Sequence, residues 1–267
     1  MKDFPVAASA AEAVRRIEKE VSYLDEKNLA AADECRLRQC RLDLSIPAGG
    51  GGLPTLVWFH GGGFVEGGRN LAEIELMGES LIIAAAGYRL SPPAGPSDFL
   101  EDAAAATAWV LKNIAGRGGD PGKVFVGGHS AGGYLAALIG MDSRWLEPHG
   151  ISNLRLAGII PVSAQVTTHF LVKRLRGDSG PEFRPRIDEY APLFHAAKEL
   201  PPICLVLGDR HIEYPNRVEE NELLAAALRN LGHARTEFHE NPGLDHGTVI
   251  PAAWKIIPRF LTRVLAG

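Results

Sequence analysis

Short apolar runs alternate with helix-like segments over most of the chain. The runs are continuous and rich in β-branched residues, which is typical of strands in a parallel sheet that is buried on both faces. Between them, apolar positions recur at the spacing of amphipathic helices. We therefore predict strands at residues 81–85, 123–126, 156–160, 203–207 and 235–240, and helices at residues 71–78, 97–114 and 218–231, after Ser130 and before the C-terminus. This alternation predicts an α/β fold, with a mostly parallel central sheet and helices on both faces.

The N-terminal part of the chain has a different pattern. Residues 10–20 place apolar and charged positions at helical spacing, which predicts an amphipathic helix within an N-terminal helical segment, residues 1–30. Residues 36–44 alternate with period two, and the apolar stretch 55–59 follows a run of glycines. This arrangement predicts two antiparallel strands joined by a hairpin.

The organisation of the chain is that of one unit. No repeat and no long low-complexity segment interrupts it, so we predict a single domain over residues 1–267. Residues 165–198 stand apart, because they are rich in Pro, Arg and Asp and carry only a short apolar-periodic segment. Such an insertion either covers an active site as a small cap or forms a plain surface connection, and both remain open at this point.

Composition and charge exclude several classes of protein. The 267 residues are 46% hydrophobic and 22% charged, as in a soluble globular protein with a proper core. The net charge of −4 leaves no basic surplus for a phosphate backbone, which argues against a nucleic-acid partner. Cys35, Cys40 and Cys204 form no CxxC pair, so we expect free thiols in a reducing compartment. No stretch has the apolar length of a secretory signal or a membrane span, so we expect a cytoplasmic protein without a membrane span.

The motif Gly128-His129-Ser130-Ala131-Gly132 follows a predicted strand and precedes an apolar helix. A serine in such a tight strand-to-helix turn is strained, and the flanking positions must lack side chains to avoid clashes. Glycine at both flanks meets that need. The motif therefore predicts a nucleophile elbow with Ser130 as the nucleophile, against the alternative of a glycine-rich turn with a bystander serine.

A second glycine motif, His60-Gly61-Gly62-Gly63-Phe64, follows the apolar stretch 55–59. Consecutive glycines let backbone N–H groups point at one place and let a substrate oxygen approach closely, which an oxyanion hole requires. We predict Gly62 and Gly63 as donors. Ala131, which follows the predicted nucleophile at a helix N-terminus, is the third.

These motifs together resemble the hormone-sensitive-lipase-like esterases of the α/β-hydrolase fold. In that family a His-Gly-Gly-Gly-Phe loop, a Tyr-Arg-Leu-x-Pro segment and a Gly-x-Ser-Ala-Gly-Gly elbow occur in this order. The corresponding segments here are residues 60–64, Tyr88-Arg89-Leu90-Ser91-Pro92 and residues 128–133, with Asp98, Trp109 and Gly119-Asp120-Pro121 between them. The resemblance is dense over residues 55–140 and looser in the C-terminal third. It implies the α/β-hydrolase fold and carboxylesterase activity on small or short-chain esters.

The base that a serine nucleophile needs is predicted at His246. This histidine lies in a loop after the predicted strand 235–240 and ahead of the last helix, and the chain order of serine, acid and histidine agrees with the fold.

The acid departs from the family pattern. In related hydrolases an Asp commonly stands about three positions after the glycine that ends the strand predicted at residues 203–207. That glycine is Gly208 here, and the residue three positions further on is His211. Asp209 and Glu213 are the remaining carboxylates, and we weigh them almost equally, with a small preference for the longer reach of Glu213. The other carboxylate is then a surface charge or a support for the histidine loop.

No motif indicates a metal or a cofactor. The chain lacks HExxH and paired Cys ligands, and it lacks both GxxxxGK[ST] and a strand-linked GxGxxG with a distal acid. The leading hypothesis is a serine hydrolase that forms an acyl-enzyme from a small ester. One alternative is an arylformamidase or amidase with the same residues, and another is a catalytically silent relative that binds a small ligand. The sequence leaves the oligomeric state open.

Overall fold

The structure, a computed structural model, describes residues 15–71 and 80–267. Its centre is a single sheet, with eight strands in the described residues. The strands in chain order are β1 (Arg15–Ser22), β2 (Arg41–Pro47), β3 (Leu53–Phe59), β4 (Ile82–Ala86), β5 (Gly119–His129), β6 (Gly158–Val162), β7 (Ile203–Leu207) and β8 (Thr236–Glu240).

The strands lie side by side in the order β1-β2-β4-β3-β5-β6-β7-β8. β2 runs antiparallel to β1 and to β4, and all neighbours from β4 to β8 are parallel. The expectation of a mostly parallel sheet with an antiparallel N-terminal part is confirmed. Because the carboxyl ends of parallel strands meet at one edge of a sheet, the loops after β3, β5, β6, β7 and β8 converge there.

Helices cover both faces of the sheet, as expected. They are α1 (Glu26–Ala30), α2 (Glu34–Gln39), α3 (Pro96–Asn113), α4 (Ala131–Met141), α5 (Phe170–Leu175), α6 (Arg217–Asn230) and α7 (Ile250–Leu265). Short 3₁₀ turns lie at Ile114–Arg117, Ser143–Trp145, Glu147–His149, Asn153–Arg155 and Pro192–His195. No helix within residues 15–71 and 80–267 combines the length and the apolar character that crossing a membrane requires.

Alternation along the strands divides the core into two layers. On β3, Val57 and Phe59 pack with buried residues of α3, α4 and α6, whereas Leu56 and Trp58 pack on the other face with α7. The rings of Trp58 and Trp254 meet edge to face with centroids 4.9 Å apart. A sheet with both faces covered produces the continuous apolar runs from which its strands were predicted.

The helix predicted over residues 10–20 is wrong in its described part. Residues 15–22 form β1, which pairs along β2 from Arg15 opposite Pro47 to Ser22 opposite Arg41. Without β1, β2 would present a row of unpaired N–H and C=O groups at the sheet edge, and this pairing outweighs the helical spacing. Residues 10–14 lie outside the described residues, and of the segment 1–30 only Glu26–Ala30 is helical in the described part.

The hairpin predicted from residues 36–44 and 55–59 has the wrong partners. β2 and β3 are not neighbours, because β4 lies between them and pairs with both. Residues 36–39 belong to α2, where the Asp33 side chain accepts a hydrogen bond from the Arg36 N–H at 2.7 Å and caps the helix. The helix predicted at residues 71–78 lies, apart from Leu71, outside the described residues.

A buried ion pair supports the loop that follows β3. The Asp102 carboxylate on α3 accepts hydrogen bonds from the Arg89 backbone N–H at 3.0 Å and from its guanidinium at 2.7 and 2.8 Å. The adjacent Tyr88 donates its hydroxyl to the carbonyl of His60 at 2.7 Å and stacks on the His60 ring. The Tyr-Arg-Leu segment thus anchors the start of the glycine loop to α3.

Replacement of Asp102 by Ala should destabilise the protein strongly. The Asp102 side chain is 0% exposed, and its loss leaves the Arg89 guanidinium without its buried partner, at a cost of about 3–5 kcal/mol. Asp98 also pairs with Arg89, but its side chain is 38% exposed, and Asp98→Ala should cost about 1 kcal/mol. Urea denaturation measures the free energy of unfolding of both variants. Equal losses of stability would contradict the assignment of Asp102 as the buried partner of Arg89.

Candidate active site

Ser130 stands in a tight turn between β5 and α4. Its backbone has φ 56° and ψ −118°, and its N–H donates to the Val162 carbonyl of the neighbouring strand at 2.8 Å. A Cβ at Gly132 would clash with the carbonyl of Phe59, and a Cβ at Gly128 would clash with the backbone of Gly132. Glycine at these two positions is therefore what allows the turn.

The structure brings Ser130, His246 and Glu213 together. The Ser130 Oγ lies 2.9 Å from Nε2 of His246, and Nδ1 of the same ring lies 2.6 Å from Oε1 of Glu213. Because an ionised carboxylate only accepts hydrogen bonds, the ring proton belongs on Nδ1. Nε2 then has a free lone pair that accepts the Ser130 hydroxyl, which is the geometry for removing its proton.

Glu213 is held as a carboxylate. Its side chain is fully buried, and burial alone would raise its pKa. The hydrogen bond from His246, the Ser163 hydroxyl at 2.7 Å and the Tyr214 N–H at 2.9 Å outweigh burial and hold the pKa of Glu213 at about 2. The negative charge next to His246 is therefore present at any ordinary pH.

The structure gives Asp209 different partners. Its carboxylate accepts hydrogen bonds from the N–H of Gly243 at 2.7 Å and of His211 at 2.9 Å, and its own N–H donates to the carbonyl of Leu244. These bonds tie the end of β7 to the loop that carries His246, without a contact to the His246 ring among the described residues. His211 itself is exposed.

The glycine loop after β3 lies against the turn at Ser130. A Cβ at Gly61 would lie 3.4 Å from the Cβ of Ser130. Gly62 and Gly63 have φ of 105° and 61°, and the carbonyl of Gly62 accepts the N–H groups of Val65 and Glu66. In the described residues, the N–H groups of Gly62, Gly63 and Ala131 have no protein acceptor. They are therefore free to bind a substrate oxygen.

Two further side chains of the site, Ser163 and His129, were given no role from the sequence. Ser163 follows β6 as Ser130 follows β5, with φ 44°, and its position at the carboxyl end of a buried strand is the available signal. His129, which lies within the nucleophile-elbow motif, is 2.7 Å from the carbonyl of His246 through Nε2. Burial, with the nearby His246, lowers the pKa of His129 to about 4, so its ring stays neutral. Since a carbonyl only accepts, Nε2 of His129 carries the proton and donates.

Within residues 15–71 and 80–267, one group of side chains outside this site has donor atoms close enough for a metal. The atoms of Cys204, Glu237 and His239 lie within 4.8 Å of one another. Glu237 already accepts two hydrogen bonds from Arg263 and one from His239, and burial raises the pKa of the Cys204 thiol, which opposes a thiolate ligand. These contacts do not fit a metal centre.

Comparison with known sequences finds esterases. A family model described as the alpha/beta hydrolase fold matches residues 56–174. Isoprenylcysteine alpha-carbonyl methylesterase ICME of Arabidopsis thaliana is 29% identical over 230 residues, covering 77% of this chain and 53% of that protein. Carboxylesterase NlhH of Mycobacterium tuberculosis is 38% identical over 100 residues, covering 34% of this chain and 30% of that protein. The chain thus spans about half or less of the length of these curated relatives.

Solved structures share the fold over nearly the whole chain. A truncated carbohydrate esterase from gut microbiota superposes with a TM-score of 0.76 at 18% identity, covering 96% of this chain and 99% of that chain. Esterase 2 of Thermogutta terrifontis, phosphoramylated by tabun, gives a TM-score of 0.74 at 24% identity, covering 93% of this chain and 94% of that chain. At these identities the likeness establishes the fold.

The free energy of unfolding should depend on pH in acid because of the lowered pKa of Glu213. The pKa of Glu213 is about 2 in the folded protein against an ordinary 4.5, so its ionised form stabilises the fold above about pH 5. That contribution disappears as the pH falls towards 2. The difference in unfolding free energy between the wild type and Glu213→Gln should therefore shrink as the pH falls from about 5 towards 2. The same measurement on Glu101→Gln, at an exposed position on α3, is the control, and a difference that grows in acid would contradict the assignment.

Loss of the His129 donor should loosen the loop that carries His246. We expect His129→Leu to shift or broaden the downfield NMR resonance of the proton shared by His246 and Glu213, and His129→Gln, which retains an N–H donor, to restore it. His233→Leu is the control, because Nε2 of His233 likewise lies near a backbone carbonyl, 3.2 Å from that of Leu200. An unchanged resonance in His129→Leu would show that the bond does not position His246.

Proposed function

We propose that the chain is a serine carboxylesterase of the α/β-hydrolase fold, which cleaves small or short-chain esters through an acyl-enzyme. The observation that carries this proposal is the relay from Ser130 through His246 to Glu213, with the ring proton fixed on Nδ1. The esterases among the sequence relatives support the same activity.

In the first half of the reaction, the Ser130 Oγ attacks the carbonyl carbon of the ester. Its proton passes to Nε2 of His246, and the carbonyl electron pair moves onto oxygen. The N–H groups of Gly62, Gly63 and Ala131 bind this oxyanion, as preorganised donors that need not reorient when charge develops. Glu213 stabilises the His246 imidazolium that forms at the same time.

The tetrahedral intermediate then collapses. The bond to the alcohol oxygen breaks, and His246 returns the proton to that oxygen, so the alcohol leaves and an acyl-Ser130 ester remains. In the second half, His246 takes a proton from a water molecule that attacks the acyl carbon. The second tetrahedral intermediate then collapses, the bond between the acyl carbon and the Ser130 Oγ breaks, and His246 returns its proton to that Oγ as the carboxylic acid leaves.

We assign the acid of the relay to Glu213 and a supporting role to Asp209. Glu213 accepts a hydrogen bond from the ring of His246, whereas Asp209 accepts hydrogen bonds from the backbone N–H groups of His211 and Gly243. The intact relay also speaks against a catalytically silent ligand-binding protein, which requires no such proton path.

The three thiols and the charge support the remaining proposals on partners and location. Cys35, Cys40 and Cys204 are free, and burial, with the nearby Asp102, raises the pKa of the Cys40 thiol to about 12, which keeps it unreactive. Free thiols are typical of a reducing compartment, so we propose a cytoplasmic protein. Its partner is a small ester, and the net charge of −4 disfavours nucleic acid.

Hydrolysis of p-nitrophenyl acetate and octanoate by the purified protein tests the activity and its chain-length preference. Ser130→Ala should abolish turnover. Glu213→Gln should lower kcat about 10³-fold, because His246 loses the charge that fixes its tautomer. Asp209→Asn should lower kcat at most about tenfold. If Asp209→Asn loses more activity than Glu213→Gln, the assignment of the acid is wrong.

Reaction with paraoxon tests whether Ser130 is a reactive nucleophile, even if none of the chosen esters is a substrate. Esterase 2 of Thermogutta terrifontis is phosphorylated by paraoxon, and we expect the same mass increase on the Ser130 peptide here, absent from Ser130→Ala. An aryl formamide serves as a parallel substrate. Labelling of Ser130 with turnover of the formamide but of no ester would move the proposal to an arylformamidase.

A further inference from the structure

Three aromatic rings lead from the glycine loop to His246. Phe170 has its Cζ 3.9 Å from the position of a Cβ on Gly63, and its ring centroid is 6.3 Å from that of Phe183. The ring of Phe183 is 6.1 Å from that of Tyr214, which meets the His246 ring edge to face at 4.5 Å. Since Ser130 lies between the glycine loop and His246, these rings form one side of the site. We call Phe170, Phe183 and Tyr214 the aromatic wall.

The middle of the wall is held in place by its backbone. The Lys173 ammonium, which is buried, donates to the carbonyls of Glu182 at 2.8 Å and Arg184 at 2.6 Å, on either side of Phe183. The carbonyl of Phe183 itself accepts the Asn216 side-chain amide at 3.0 Å. Phe183 is therefore presented on an ordered support, and little conformational entropy is lost when a ligand contacts it.

The aromatic wall exposes apolar surface to solvent at the rim of the candidate active site. Tyr214 is 45% exposed, and Phe170 and Phe183 are half-buried, whereas Phe64 and Phe99 beneath them are fully buried in the core. Exposed aromatic surface costs free energy in water, and at the rim of a site it is typical of binding surfaces for apolar groups.

The chemistry decides which half of the ester meets the wall. His246 must return its proton to the alcohol oxygen, so the alcohol part lies beside Nε2 during the reaction. Tyr214 contacts the ring of His246, and Phe183 follows it. A cleft of about 430 Å³ lies against Tyr214 and His246, with Ile212 and Pro215 among its other lining residues.

We propose that Phe183 and Tyr214 form a leaving-group subsite, which selects esters whose alcohol part is apolar and above all aromatic. This inference rests on the proposed esterase function and adds the class of alcohol to it. Phe170, next to the oxyanion donors, completes the wall at the carbonyl end. Residues 165–198, which supply Phe170 and Phe183, thereby act as a cap that sets specificity.

Two acetate esters test the subsite. Ethyl acetate and benzyl acetate share the acyl group, and both alcohols are primary with similar acidity, so their ratio of kcat/KM reports recognition of the alcohol part. We expect the wild type to favour benzyl acetate about tenfold, the size of one well-formed aromatic contact. Phe183→Ala and Tyr214→Ala should each reduce this preference about fivefold. The ratio cancels losses of overall activity that affect both esters alike.

Phe194→Ala is the matched control, because Phe194 is an aromatic residue of the same segment that is 59% exposed and has its ring near that of His195. It should keep the preference of the wild type. As a second readout, benzyl alcohol should inhibit hydrolysis of p-nitrophenyl acetate, with an inhibition constant that rises in Phe183→Ala and Tyr214→Ala.

The possible failures are distinguishable. Hydrolysis of both acetates with equal kcat/KM, or a preference that both wall variants retain, would overturn the subsite and leave the esterase standing. Absence of all ester turnover together with absence of paraoxon labelling on Ser130 would overturn the proposed function, and the subsite with it.

Discussion

Ser130 adopts a left-handed backbone conformation, with φ of 56°, between a buried strand and a buried helix. A non-glycine residue in this region costs roughly 1–3 kcal/mol, and the surrounding structure must supply that energy. Here the Ser130 N–H donates to Val162, the Ser130 carbonyl accepts from Tyr134, and Gly132 lets α4 pass close to the end of β3. The rest of the site is arranged around this turn, because the loops after β3, β6, β7 and β8 all end at the same edge of the sheet.

Buried side chains behind the site balance the charge of the Glu213 carboxylate. Arg217 is buried at the start of α6 and donates to the carbonyl of Ser163 at 2.6 Å, while the Ser163 hydroxyl donates to Glu213. Glu220, one helical turn further on, accepts the Thr167 hydroxyl at 2.9 Å. A positive guanidinium thus lies among buried carboxylates, which is how a folded chain tolerates an ionised Glu213 away from water. The same contacts fasten the start of residues 165–198 to α6.

The parallel part of the sheet was predictable because each strand carries its own local signal, a continuous apolar run closed by glycine or polar residues. β1 was not, because its conformation depends on pairing with β2, far along the chain. Ser130 and His246 could be named from a motif and from chain order. The choice between Asp209 and Glu213 was beyond the sequence, because the turn in which the Glu213 N–H donates to the Asp209 carbonyl at 2.8 Å sets where each side chain points. His129 and Ser163 were missed because each acts on a residue that is remote in sequence.

In the proposed mechanism, Asp209 and Glu213 perform two separate tasks. Asp209 accepts a backbone N–H of the histidine loop and so braces it, whereas Glu213 contacts the His246 ring and supplies the charge in the proposed mechanism. A chain with this division can relocate its anionic partner along the loop after β7 without dismantling the brace. The position of the acid and the support of the histidine loop are therefore separate features of this scaffold.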